Sequence, residues 1–165
     1  GDIHARGCEP DSFDAARSDR SLQHISDPGT AIGEMARIVR PGGIVCAAEP
    51  DWSSFVIASD LVEISRHAEA AFRNGFLNPM IGRDLIDLIG GHLSISHHSV
   101  HPVLLKRLAD AELVFDLTTT LQRCVSEKKI PAAKAETFYA DLEERDRNHR
   151  FFALLNIHVV AGRKR

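Results

Sequence analysis

Long apolar runs are missing from this sequence. None approaches the roughly 20 residues needed to cross a bilayer, and the amino terminus carries no charged-then-apolar leader pattern. No membrane span or secretory signal is therefore expected. Cysteine is scarce as well: Cys8, Cys46 and Cys124 are odd in number and widely separated. That spacing argues against a disulfide framework and against a cysteine-based zinc module, and it fits a reducing, cytoplasmic setting. Charge of one sign is not in excess either, since 20 basic and 23 acidic residues give a formal charge of −3. The basic residues are dispersed, so no footprint for nucleic acid or an anionic membrane surface is present. A small-molecule or protein partner is expected instead.

What is present is enough for a core. With 165 residues, 44% of them hydrophobic, the expectation is one compact domain over residues 1–165. The first residue is Gly1 and no cap or periodic segment precedes the opening Gly1-Asp2-Ile3-His4, so a start inside a longer gene product is expected.

Local patterns place the elements. Residues 12–16 are short and mostly apolar before the polar Arg17-Ser18-Asp19-Arg20, as in a buried strand that ends at a loop. Asp27-Pro28 then starts a helix, because the carboxylate can accept from an orphan backbone N–H and proline suits the first helical position. Ile32, Met35, Ala36 and Val39 follow at helical spacing, and Pro41-Gly42-Gly43 is expected to stop the helix. Residues 44–48 read as a fully buried strand. A helix running straight into a buried strand is the unit of an α/β fold with a parallel sheet.

Asp60 and Glu63 resemble a capping box for a helix through Leu61, Ile64, Ala68 and Phe72, ending near Asn74-Gly75. A short helix around residues 85–89 follows. Residues 93–103 alternate with the period of an edge or near-edge strand. Leu113, Leu117, Leu121 and Cys124 mark one helix, and Pro131 opens a second that continues through residues 141–147, the two forming a hairpin. Residues 151–160 read as a central strand that Gly162 ends. The basic tip Arg163-Lys164-Arg165 is expected to be solvated and is given no role.

Four segments occur in a recognisable order: Gly1-Asp2-Ile3-His4, Phe13-Asp14, Leu22-Gln23-His24, and Glu34-Met35-Ala36-Arg37-Ile38-Val39-Arg40-Pro41-Gly42-Gly43. Together they resemble the class I S-adenosylmethionine-dependent methyltransferases, specifically the type 11 small-molecule subgroup. The resemblance is clear over residues 1–57 and looser beyond, where Glu49-Pro50-Asp51-Trp52 and the final strand fit. It implies a Rossmann-like sheet whose last strand is antiparallel, of which this chain holds the carboxy-terminal two-thirds, strands four to seven flanked by helices. The glycine-rich turn after the family's first strand has no counterpart, nor does the acidic residue after the second that holds the ribose. No Gly-x-Gly-x-Gly occurs in the sequence.

The resemblance implies S-adenosyl-L-methionine as cofactor and methyl transfer to oxygen, nitrogen or carbon of a small acceptor. It places Asp2, with Ile3 beside it, where a side chain accepts from the adenine amino group. Arg17 and Ser18 fall in the loop that approaches the methionine end, with Arg20 and Gln23 on the next turn. His24 is the catalytic candidate, since a near-neutral imidazole could take a proton from the acceptor; packing at a helix start is its other reading. Asp51 and Trp52 lie at the rim where family members hold substrate, although core packing accounts equally well for the single Trp. His92, His97, His98 and His101 are expected to line a solvated strand face rather than a metal site, because alternation turns His97 and His101 away from His98 and no cysteine or acid is near. The strand at 13–15 is expected to expose an edge and to drive homo-oligomer formation. The alternative reading is a truncated, non-catalytic interaction module.

Overall fold

A computed structural model describes residues 7–165 of the chain. Four strands form one sheet in the order β1-β2-β4-β3, with β1 (Phe13–Asp19), β2 (Val39–Ile57), β3 (Ser94–Leu105) and β4 (Ala153–Arg163). β1 and β2 are parallel. Gly42 and Gly43 exchange backbone hydrogen bonds with Lys164, while Ala58 bonds Phe152, so β4 runs antiparallel to β2. The helices are α1 (Pro28–Ile38), α2 (Val62–Arg73), α3 (Ile81–Gly90), α4 (Leu108–Phe115), α5 (Leu117–Ser126) and α6 (Ala132–Arg147). This is the expected α/β arrangement of a Rossmann-like methyltransferase sheet from its fourth strand to its antiparallel last strand.

The residues fall into two compact units. One comprises the described residues up to Asp51 together with Leu77–His101 and Asn156–Arg165; the other comprises Trp52–Phe76 and Pro102–Leu155. Each has its own apolar core. In the first, Ile32 and Met35 of α1, Val45 and Ala47 of β2, Leu85 and Ile89 of α3, and Val160 of β4 pack together. In the second, Phe115, Phe138, Leu121 and Leu142 surround an aromatic group in which Trp52 stacks on Phe76 with centroids 4.6 Å apart.

α1 starts as its sequence dictates: Asp27 accepts from the Thr30 N–H at 2.9 Å and Pro28 fills the first turn. Its end differs from expectation. Val39 is already extended, and β2 begins there rather than after Pro41-Gly42-Gly43. Arg40, which precedes Pro41, resists the helical region, so the helix cannot run on toward the proline, and the Lys164 ammonium takes the carbonyls of Arg37 and Val39 at 3.2 and 2.8 Å. The Pro-Gly-Gly segment becomes a bulge inside a strand: Phe13 pairs with Val39 but Ala15 already pairs with Ile44. Lys164 also meets Asp11, Arg163 donates to the Gly42 carbonyl and Arg165 to Ser94. The basic terminus is therefore a clamp, not a solvated tip.

Other expectations shift for physical reasons. Residues 44–48 alternate between buried and half-buried instead of being uniformly buried. The capping box is absent: Leu61 occupies the cap position of α2 without a side-chain bond, Ser59 Oγ accepts from the Leu61 N–H, and Asp60 turns out to Arg145 at 2.8 Å. The helix expected through Leu113 and Cys124 is two helices, because Asp116 takes a left-handed conformation (φ 44, ψ 56) between α4 and α5 and leaves Leu113 exposed. Aspartate tolerates that region better than most residues. Gly162 continues β4 rather than ending it. A Cβ there would lie 2.6 Å from Ile89 and 2.8 Å from Leu93, so the position demands glycine for close packing and not for a turn.

Candidate active site

The chemistry-bearing residues of the first unit gather where β1 ends beside the middle of β2. β1 leads into a short loop and a 3-10 turn, Leu22–His24. Arg20 enters it with a left-handed backbone (φ 50) and its N–H donates to the Ala48 carbonyl at 2.9 Å. Along β2, Gly43, Val45, Ala47 and Glu49 share the buried face by the two-residue period of a strand. Glu49 thus carries a carboxylate to the end of an apolar row, with no accessible surface.

That carboxylate organises the loop. Its Oε1 accepts from the backbone N–H groups of Ser21 and Leu22, both at 2.8 Å, satisfying donors that a short turn leaves orphaned. Burial pushes the Glu49 carboxyl above its ordinary 4.5; the N–H groups of Leu22, Ser21 and Gln23 pull it back, and Asp19 adds to the rise. From the other side Asn78 donates through its side chain to the carbonyls of Leu22 and Ile25, at 3.0 and 2.6 Å, and its N–H donates to Gln23. Gln23 in turn donates to the Arg20 carbonyl at 3.1 Å. α3 presses directly on the middle of β2: a Cβ on Gly82 would stand 2.8 Å from the Glu49 carbonyl oxygen. The loop between residues 19 and 25 is therefore held by fixed polar groups, the condition for placing a ligand accurately.

The structure brings several of the expected residues together. Arg17 and Ser18 belong to β1 rather than to the loop after it, because β1 pairs with β2 as far as Asp19; Ser18 is buried, and its Oγ has no hydrogen-bond partner. Arg17 and Arg20 are exposed and both pair with Asp19, at 2.6 and 3.1 Å. Gln23 is buried and His24 exposed on the 3-10 turn. Asp51 is buried against Arg83 of α3 at 2.8 Å. Trp52 belongs to the other unit, 7% exposed among Phe55, Phe72, Phe76 and Phe115. Asp2 and Ile3 lie outside the described residues. Glu49 and Asn78 were not singled out by sequence. A lone acid closing an apolar strand in phase with Val45 and Ala47 was the available signal for Glu49; Asn78 offers none, since its partners lie more than 50 positions away.

Two buried oxygens, Ser18 Oγ and Glu49 Oε2, have no partner, and buried polar groups are seldom left so. An orphan hydroxyl at the carboxyl end of a parallel strand suits a polar ligand bound there, as expected of open α/β sheets. Among the described residues no group of three or more His, Cys, Asp or Glu is arranged to hold a metal ion. On the His158 imidazole, burial acts most strongly and lowers its affinity for protons below the ordinary value; Asp51 opposes this, and His98 and Arg83 reinforce it.

Comparison with known proteins decides the fold. Residues 1–47 match the methyltransferase domain family. A candidate methyltransferase of Bacillus halodurans C-125 superposes with a TM-score of 0.63 at 13% identity, covering 99% of this chain and 69% of that one. The chain has the fold of that methyltransferase. An S-adenosylmethionine-dependent methyltransferase of Thermotoga maritima superposes on the same fold with a TM-score of 0.50 at 15% identity, covering 100% of this chain and 62% of that one. In sequence the chain is 31% identical over 169 residues to an uncharacterised 37.1 kDa protein in a transposon of Streptomyces fradiae, covering 98% of this chain and 46% of that protein. The chain thus spans about half the length of that relative. No helix among the described residues is long and apolar enough to cross a membrane.

Proposed function

We propose that this chain takes part in S-adenosylmethionine-dependent methylation of a small molecule, with the end of β1 and the loop after it, from Arg17 to His24, facing the methionine end of the cofactor. The observation that carries the reading is the orphan Ser18 hydroxyl at the end of β1, beside a loop held by Glu49 and Asn78. The residues present fit one end of the cofactor only, because the sequence has neither a glycine-rich turn nor the acid that would hold the ribose. When bound, the cofactor supplies an electrophilic methyl group on a sulfonium.

The chain's own residues then have limited tasks. Ser18 and the polar groups of Arg17, Arg20 and Gln23 orient the polar end of the ligand. Asp2 and Ile3 are assigned to the adenine. His24, exposed at the turn, takes the proton that an oxygen or nitrogen acceptor loses. Asp51, fixed by Arg83, contributes to the acceptor side, with Trp52 following it in sequence. Alignment of acceptor, methyl and leaving group provides most of the acceleration in such a displacement, so no elaborate covalent machinery is required.

The three free cysteines support a reducing, cytoplasmic setting. β1 ends the sheet order, and its outer edge supports pairing with a second copy. Nuclear magnetic resonance titration with S-adenosylhomocysteine tests the site assignment. Shifts concentrated in residues 17–24 are expected; shifts confined to the α5 and α6 region would contradict it.

A further inference from the structure

Strand pairing brings together two histidines that lie 60 positions apart. His98 projects from β3 and His158 from β4, and the Nε2 of the first lies 3.4 Å from the Nδ1 of the second. Their rings are stacked, with centroids 5.6 Å apart and planes 22° from parallel. A direct hydrogen bond prefers about 2.7–3.2 Å, so this separation is long for one. Two imidazole nitrogens bound to one tetrahedral zinc ion at about 2.0–2.1 Å stand roughly 3.3–3.4 Å apart.

We propose that His98 and His158 form a two-histidine site for a divalent cation of the zinc class, with water completing the coordination. The pair faces solvent on the His98 side, where the ring is exposed, while His158 is half-buried on β4. Cross-strand neighbours are held by the backbone ladder, so the two nitrogens are preorganised. β3 closes the sheet order at the end opposite β1; a bound cation would clip this edge strand to its inner neighbour. The other face of β3 provides a contrast. There His97 and His101 both bond Ser99 Oγ, at 2.9 and 2.8 Å, so a hydroxyl separates the two imidazoles and they share no common bite.

Zinc chloride titrated into the full chain near neutral pH, followed by calorimetry, tests the site. The expected result is one zinc ion bound per chain, about tenfold or more weaker in His98→Ala and in His158→Ala, in line with the cost of disturbing a metal shell. A His97→Ala/His101→Ala variant should bind as the parent does. Zinc should also raise the melting temperature of the parent and of that control, but not of His98→Ala, whose exposed position makes misfolding a poor explanation for lost binding. No binding to the parent, or unchanged binding in His98→Ala, overturns the proposal, as does loss in the His97 and His101 control alone.

Discussion

Replacing Glu49 separates its two effects, loop anchoring and buried charge. In Glu49→Ala the N–H groups of Ser21 and Leu22 lose an acceptor at 2.8 Å. Ser21 is exposed and water can replace the carboxylate there, but Leu22 has no accessible surface. An orphaned buried donor costs about 1–3 kcal/mol, and with the small cavity left behind a loss of about 2–4 kcal/mol is expected. Glu49→Gln keeps an acceptor oxygen and isolates the charge. Because folding raises the Glu49 carboxyl above 4.5, the native state holds a proton that the unfolded chain has released. That contribution to stability is fully present below 4.5 and is lost as pH rises through the native value. Urea unfolding of both proteins across this range should show the parent falling relative to Glu49→Gln by at most about 1.4 kcal/mol per pH unit. Parallel profiles would refute the buried-charge reasoning; an unchanged midpoint in Glu49→Ala would refute the anchoring.

Three further outcomes follow from particular contacts. Gly82→Ala drives a methyl into the Glu49 and Pro50 backbone and should destabilise by about 1–3 kcal/mol in urea unfolding, as overpacking does. Asp116→Gly relieves the left-handed strain between α4 and α5 and should be neutral or better, whereas Asp116→Val should lose about 1–2 kcal/mol, read as a lower melting temperature. The outer edge of β1 should support self-association in sedimentation at tens of micromolar, order of magnitude, and Ala15→Pro should weaken it; a stable monomer counts against edge pairing.

The parts of the fold governed by local chemistry were readable in the sequence. Asp27-Pro28 fixes the start of α1, and alternation fixes β3; the alternation along residues 44–48 was not legible, because an apolar run without polar partners shows no period. Distant partners changed the rest. Lys164 and the paired β1 converted the expected stop at Pro41-Gly42-Gly43 into a bulge, Arg145 drew Asp60 away from its expected cap, and Ile89 with Leu93 made Gly162 a packing residue. The site divides the same way. The sequence placed Ser18 and Gln23 on neighbouring segments, now the end of β1 and the turn after it, while Asn78 and the meeting of His98 with His158 depend on chain crossings that no local pattern encodes.

The central claim is that the loop after β1 is a binding surface for the cofactor's methionine end. Calorimetry of the chain with S-adenosylhomocysteine, paired with Ser18→Val, tests it most directly. Micromolar binding that the variant weakens about tenfold or more is the predicted result, the scale expected when a buried polar contact is lost. No detectable heat up to millimolar ligand, or equal binding by both proteins, would contradict it.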